Sequence, residues 1–275
     1  MRKQLIDLLA MNDEQCRIYM ENDGESIFTY MLENVGTTDS ELRDEIIYRL
    51  LVKLLSGNHL TTAQMERATE ELISDRYLFN SIGEKDTDTV FIRSFAALWL
   101  TGIFWVDKEQ PFMNSELRSL AMEKCVHYLY KENDVRGYTA NGWAHAIAHG
   151  ADLYRMIATH PSVEQRLIPV ILGGLSTCFF KGGVYVDDED ERFVTIVTAL
   201  VADDYPEEVL LEWVEQIFDR LDREVAEFGQ SPSFLHSRTN ILQFMKTLYF
   251  ALKKSHSAHQ LRSAVSYFIQ KWQRT

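Results

Sequence analysis

The chain has 275 residues, enough for one large domain or two small ones and for a sizeable buried core. Its 41 Asp and Glu outnumber its 28 Lys and Arg, and a net charge of −13 opposes sequence-independent binding to nucleic acid or anionic lipid, which needs a basic footprint. Five prolines and thirteen glycines are few for this length and argue against a loop-rich or all-β chain.

Helical periodicity dominates from the first residues. Residues 1–15 carry two basic side chains, but Asp7 breaks the apolar run and no small-residue cleavage site follows, so an amphipathic helix is expected and not a signal peptide. The next strong pattern opens at the cap residue Asp39, places acids in the first turn and stops at Gly57-Asn58. Further helices are predicted to begin at Thr61 or Thr62, at Asp88 (running to about Trp105), and at Asn114 or Ser115. Later starts are predicted at Asn141, Pro161-Ser162, Asp188, Pro206, Ser231 or Ser233, and Ser257. Only Val184-Tyr185-Val186 hints at a strand, and its place between Gly183 and an acidic run reads better as loop. The longest apolar runs, 95–106 and 167–180, fall short of the roughly 20 residues of a membrane span. Cys16, Cys125 and Cys178 are far apart and odd in number, which points to a reducing, cytoplasmic setting.

Several helices can be laid over one another. Arg43, Arg93, His145, Arg192 and Arg238 each stand near the start of an apolar helix and are 50, 52, 47 and 46 residues apart. A cap or turn residue (Asp39, Asp88, Asn141, Asp188, Ser233) precedes each by four or five positions, and one more helix fits between consecutive pairs. The expectation is a single all-α domain over residues 1–275. It would be an α-α superhelix of about five stacked helical hairpins of HEAT or armadillo type, centred near 43, 93, 145, 192 and 238. Stacking would align those five residues in one row, either as a local basic field or as arginines paired with Asp44, Asp88 or Glu191.

One unit breaks the apolar pattern. His145, His149 and Asp152 fall at i, i+4 and i+7, facing one way if the helix starts at Asn141. Sibling helices carry Ile47, Ala97, Ile196 and Leu242 in place of His149, and Leu50, Leu100, Ala199 and Met245 in place of Asp152. Such a stripe must be paired, hydrated or liganded, because burying it alone costs a few kcal/mol per group. Histidines at i and i+4 can share a divalent metal with a remote carboxylate. Asp152, about 10 Å along the axis from His145, suits an orienter of His149 better than a third ligand. Acid–base work by His149, poised by Asp152, is a further reading. The run 187–191 supplies Asp187 or Glu191 as the outside carboxylate, with Asp188 as helix cap. His256 and His259 sit between helices, and Gly173-Gly174 follows no strand, so neither pair marks a site.

Leu42-Arg-Asp44, the block 88–95, Gly142-Trp-Ala-His-Ala-Ile-Ala-His-Gly-Ala-Asp152 and Glu189-Asp-Glu-Arg192 together resemble the bacterial domain-of-unknown-function 2785 family, over roughly residues 40–195. The resemblance implies a helical fold and a common site containing Trp143, His145, His149, Asp152 and the Glu189–Arg192 block, with no activity attached.

The sequence thus supports three functions. The first is a cytoplasmic binding module whose inner face, around His145, His149 and Asp152 with Trp143, Glu191 and the flanking Arg93 and Arg192, takes an anionic small molecule or acidic peptide. The second is a metal-dependent hydrolase with His145 and His149 as ligands and Glu191 or Asp187 as third ligand or base. The third is a structural protein with a satisfied polar cluster. No nucleic-acid or membrane partner is expected.

Overall fold

The computed structural model describes residues 1–255 and 258–273. Helix starts follow their caps. α1 (Arg2–Ala10) leads to α2 (Asp13–Glu33), which opens with an Asn12/Gln15 capping box, and α4 (Thr62–Leu72) opens with the same device at Thr61/Gln64. Between them Glu41–Tyr48 is wound as a π-helix and continues as α3 (Arg49–Ser56), ending at Gly57. Asp88 precedes α5 (Thr89–Glu109), and Asn114 caps α6 (Ser115–Cys125) by accepting from the Leu117 amide. After the short α7 (Tyr128–Lys131) come α8 (Ala146–Ala158), α9 (Leu167–Cys178), α10 (Glu189–Ala202) and α11 (Glu207–Phe228). The series ends with α12 (Pro232–Ser255) and α13 (His259–Gln273).

The fold is all-α, with two local departures from the predicted starts. Asn141 caps no helix: it lies in the turn of a hairpin between β1 (Tyr138–Thr139) and β2 (Gly142–Trp143), and α8 begins only at Ala146. The Pro161-Ser162 start is a turn, held where the Ser162 amide donates to His160 Nδ1, and α9 begins at Leu167. Val184–Val186 is irregular, as expected. The predicted start at Ser257, and His256, lie outside the described residues.

α3, α5, α8, α10 and α12 pack each against the next, and α4, α6, α9 and α11 flank them. One apolar core runs from Leu5 to Trp272. α5 is long and apolar enough to cross a membrane by length and composition, but 67% of that stretch is buried inside the protein, as in a central core helix. The row of aligned basic residues forms no open basic wall. Arg43 is buried under Phe91 and bonds Asp44 and the carbonyls of Thr37 and Asn141, while Arg238 donates to the Trp272 carbonyl.

Candidate functional site

The hairpin is what places His145. Gly142 has φ +89, and a Cβ there would press on Arg43 Nη2 and Ser40 Cβ, both 2.9 Å away. Glycine is therefore required both for the turn and for the close approach of the hairpin to the start of the Glu41–Tyr48 helix. The hairpin returns the chain so that the amides of Ala144 and His145 donate to the carbonyls of Gly137 and Arg136. His145 itself is the residue before α8 and sits in the left-handed region at φ 46. A non-glycine residue held there carries local backbone strain that the surrounding contacts must support.

The acidic loop meets this corner. Asp188, the residue before α10, is also left-handed, at φ 63. Asp187 accepts from the Tyr138 amide, and Glu189 accepts from the Asp187 amide at 2.9 Å. Gly137 lies so close that a Cβ there would collide with Asp187 Oδ2. One ligand atom from each of His145, Asp187 and Glu189 lies within 4.8 Å of the others. Glu189 is 2% exposed, and burial pushes its carboxyl above the usual range, against the opposing pull of the Asp187 amide. Burial lowers the His145 imidazole, with the Asp187 carboxylate acting the other way. His145 Nε2 is buried with no hydrogen-bond partner.

His149 stands beside this cluster and outside it. Its Nδ1 is 2.7 Å from Ser94 Oγ, and Ser94 donates its single O–H to the Ala144 carbonyl. His149 therefore donates from Nδ1, and its Nε2 keeps a free lone pair. Burial first, then the neighbouring His145, hold the imidazole down to about 3, so it is neutral at physiological pH. The two imidazoles are 6.0 Å apart edge-on, and Phe95 meets His149 edge-on at 5.4 Å. Asp152 is tied to neither histidine. Both its oxygens accept from Arg192 Nη1 at 3.3 Å, and burial raises its carboxyl despite that cation.

Of the expected set His145, His149 and Glu191 or Asp187, the structure brings His145 and Asp187 together, adds Glu189, and leaves His149 and Glu191 outside the cluster. The i, i+4 argument needs both histidines inside the helix, and His145 is outside it. Glu191 is exposed on α10, whereas Glu189, the first helical residue, has a side chain that leans back over the preceding turn toward Asp187. Arg93 is not a ligand-facing cation. It is fully buried, paired twice with Glu132 (2.6 and 3.0 Å), and its remaining donors meet Thr89 and backbone carbonyls. Trp143 does border the centre, with its ring 4.4 Å from that of His145 and 41% exposed beside Tyr138. Arg192 stays near both imidazoles, lowering each, while pairing with Asp152. Ser94 was missed as a site residue, and Glu189 was named only within the block that the family resemblance implied, not as a ligand. Glu189 had a signal in its place directly after the aligned cap Asp188, and Ser94 had only a hydroxyl within an apolar helix.

These features define an all-helical protein with an imidazole–dicarboxylate centre at the meeting of two helix starts. Residues 78–250, well over half of the chain, match the family described as protein of unknown function (DUF2785), and the chain belongs to that family. The match takes in the His145 and Glu189 blocks, extends to α12, and leaves Leu42-Arg-Asp44 outside. No curated protein matches the chain, and no solved structure does.

Proposed function

We propose that His145, Asp187 and Glu189 hold a divalent cation that ties the hairpin to the acidic loop, making this a metal-binding protein. The observation that carries the reading is the convergence, within 4.8 Å, of three donors from segments more than forty residues apart. Ligand atoms about 2.0–2.2 Å from one ion lie roughly 3–4 Å from each other, so a small contraction closes the set. The buried, unpartnered Nε2 of His145 and the two carboxylates make the centre a poor host for an anion and a good one for a cation. One imidazole with two carboxylates suits zinc, manganese or ferrous iron better than calcium or magnesium. A bound ion would supply a Lewis acid and a water of lowered pKa. Within this reading His149 is a positioning residue: hydrogen-bonded to Ser94, it packs edge-on against the His145 ring.

The hydrolase reading needs substrate space as well as a metal, and a cavity of about 670 Å³ between α10 and α12 is bordered by Asp188 and Glu191. A binding module for an anionic small molecule or acidic peptide is the second reading, favoured by Arg192, whose charge reaches both imidazoles. We read the row α3, α5, α8, α10 and α12 as the inner wall of a helical-repeat superhelix, and the free cysteines fit a cytoplasmic protein.

Elemental mass spectrometry of protein purified without chelator tests the metal. One ion per chain is expected in the wild type and in His149→Ala, and none in His145→Ala or Glu189→Gln. A metal-free wild type that takes up neither zinc nor manganese on titration would sink the reading.

A further inference from the structure

α9 and α11 border a cavity of about 490 Å³, lined by none of the residues of the histidine centre and within the range of small-molecule sites. Its floor is apolar: Leu172, Trp213 and Ile217 line it and are 2%, 5% and 2% exposed. Arg220 stands at its edge with the guanidinium carbon 3.9 Å from the centre of the Phe180 ring, so the cation rests over an aromatic face. Arg43, Arg93, Arg118, Arg136 and Arg166 are each paired with a carboxylate, whereas Arg220 has neither an ion pair nor a hydrogen bond among the described residues. Glu224, one helical turn on, accepts from Ser233 through one oxygen, keeps the other buried and without a hydrogen bond, and attracts the Arg220 cation without forming an ion pair with it. Arg223 lines the same cavity and donates only to a backbone carbonyl within its own helix. A second cavity, about 390 Å³, is also lined by Phe180, Arg220 and Arg223, so the two arginines stand where both cavities meet.

We infer that this cavity binds a small monocarboxylate with a flat apolar body, its carboxylate taken by Arg220 and Arg223 and its body laid over the Leu172–Trp213 floor. A guanidinium presents parallel donors that match a carboxylate in a two-point contact. Glu212, Glu224 and Glu227 around the cavities oppose a polyanion, which is why a single charge fits and a polyphosphate does not. The site is independent of the proposed metal centre.

The test is equilibrium dialysis of 2-naphthoate against its neutral twin 2-naphthylmethanol. Naphthoate is expected to saturate one site, with the alcohol at least about tenfold weaker, a difference of ~1.4 kcal/mol. Arg220→Met should weaken naphthoate about tenfold or more and leave the alcohol unchanged, with an unaltered melting temperature because Arg220 is at the surface. His145→Ala should bind naphthoate as the wild type does. Absence of saturation at millimolar naphthoate, equal binding of the alcohol, or an indifferent Arg220→Met would overturn the assignment.

Discussion

Arg93, inside α5, and His145, just before the neighbouring α8, have opposite surroundings. Around Arg93 the donors are matched: two go to Glu132, and the others to Thr89 Oγ1 and the carbonyls of Asn80 and Glu84. Glu132 in turn accepts from Tyr128 and the amides of Asn133 and Asp134. Around His145 a ring nitrogen is orphaned, two carboxylates crowd one another, and the backbone is left-handed. A saturated buried network holds a fold together, and an under-satisfied one leaves room for something to bind.

The sharpest way to break this comparison is to remove one partner of the saturated pair. Glu132→Gln leaves the buried Arg93 charge uncompensated and is expected to cost about 3–5 kcal/mol in urea unfolding. The double replacement Arg93→Met/Glu132→Leu should recover much of that loss. A cost below 1 kcal/mol for Glu132→Gln would deny the pair its structural role.

At the unsaturated centre the prediction runs the other way. Zinc at a hundred times its dissociation constant should add about 2.7 kcal/mol to the wild type and nothing to His145→Ala, followed by thermal unfolding. Equal stabilisation of both proteins would place the ion elsewhere.

Asp107 lies in a second buried polar cluster, whose pH dependence has a definite sign. Burial alone would raise its carboxyl, but His160, Arg118 and the amides of Met113 and Phe112 outweigh it and hold it well below the usual range. A depressed folded value means the stabilisation is complete above the unfolded value near pH 4 and is lost as pH falls toward the folded one. Wild type should therefore lose roughly 2 kcal/mol more than Asp107→Asn between pH 5 and strongly acidic conditions. Parallel curves for the two proteins would remove Asp107 from the acid response.

Two smaller effects refine the contrast. Gly137→Ala pushes Asp187 aside without deleting a donor, so metal affinity should fall about tenfold while stability changes by less than ~1 kcal/mol. Arg192→Gln breaks an ion pair whose arginine is 53% exposed and should cost under ~1 kcal/mol, measured by urea unfolding.

Much of the fold was legible because helix starts are local. Asp39, Thr61, Asp88, Asn114, Asp188 and Pro206 each stand at or just before a helix start, where a few neighbouring residues decide the outcome. Asn141 misled because its local signal was overruled from far away: Arg43, 98 residues earlier in the chain, donates to its carbonyl and holds the hairpin turn. The same displacement took His145 out of the helix and dissolved the expected histidine pair.

The aligned row shows the limit from another side. Spacing placed Arg43, Arg93, His145 and Arg192 at related positions, but which of them met a partner depended on side chains from other segments. Glu132 reached Arg93, Asp152 reached Arg192, and Asp187 and Glu189 reached His145. Periodicity and capping are short-range properties, so the sequence by itself determined the helical class, most helix starts and the segment that would carry the unusual polar residues. The pairing of charges and the assembly of the three-donor centre are long-range, and the tertiary structure alone decided them, through the approach of one hairpin to one acidic loop.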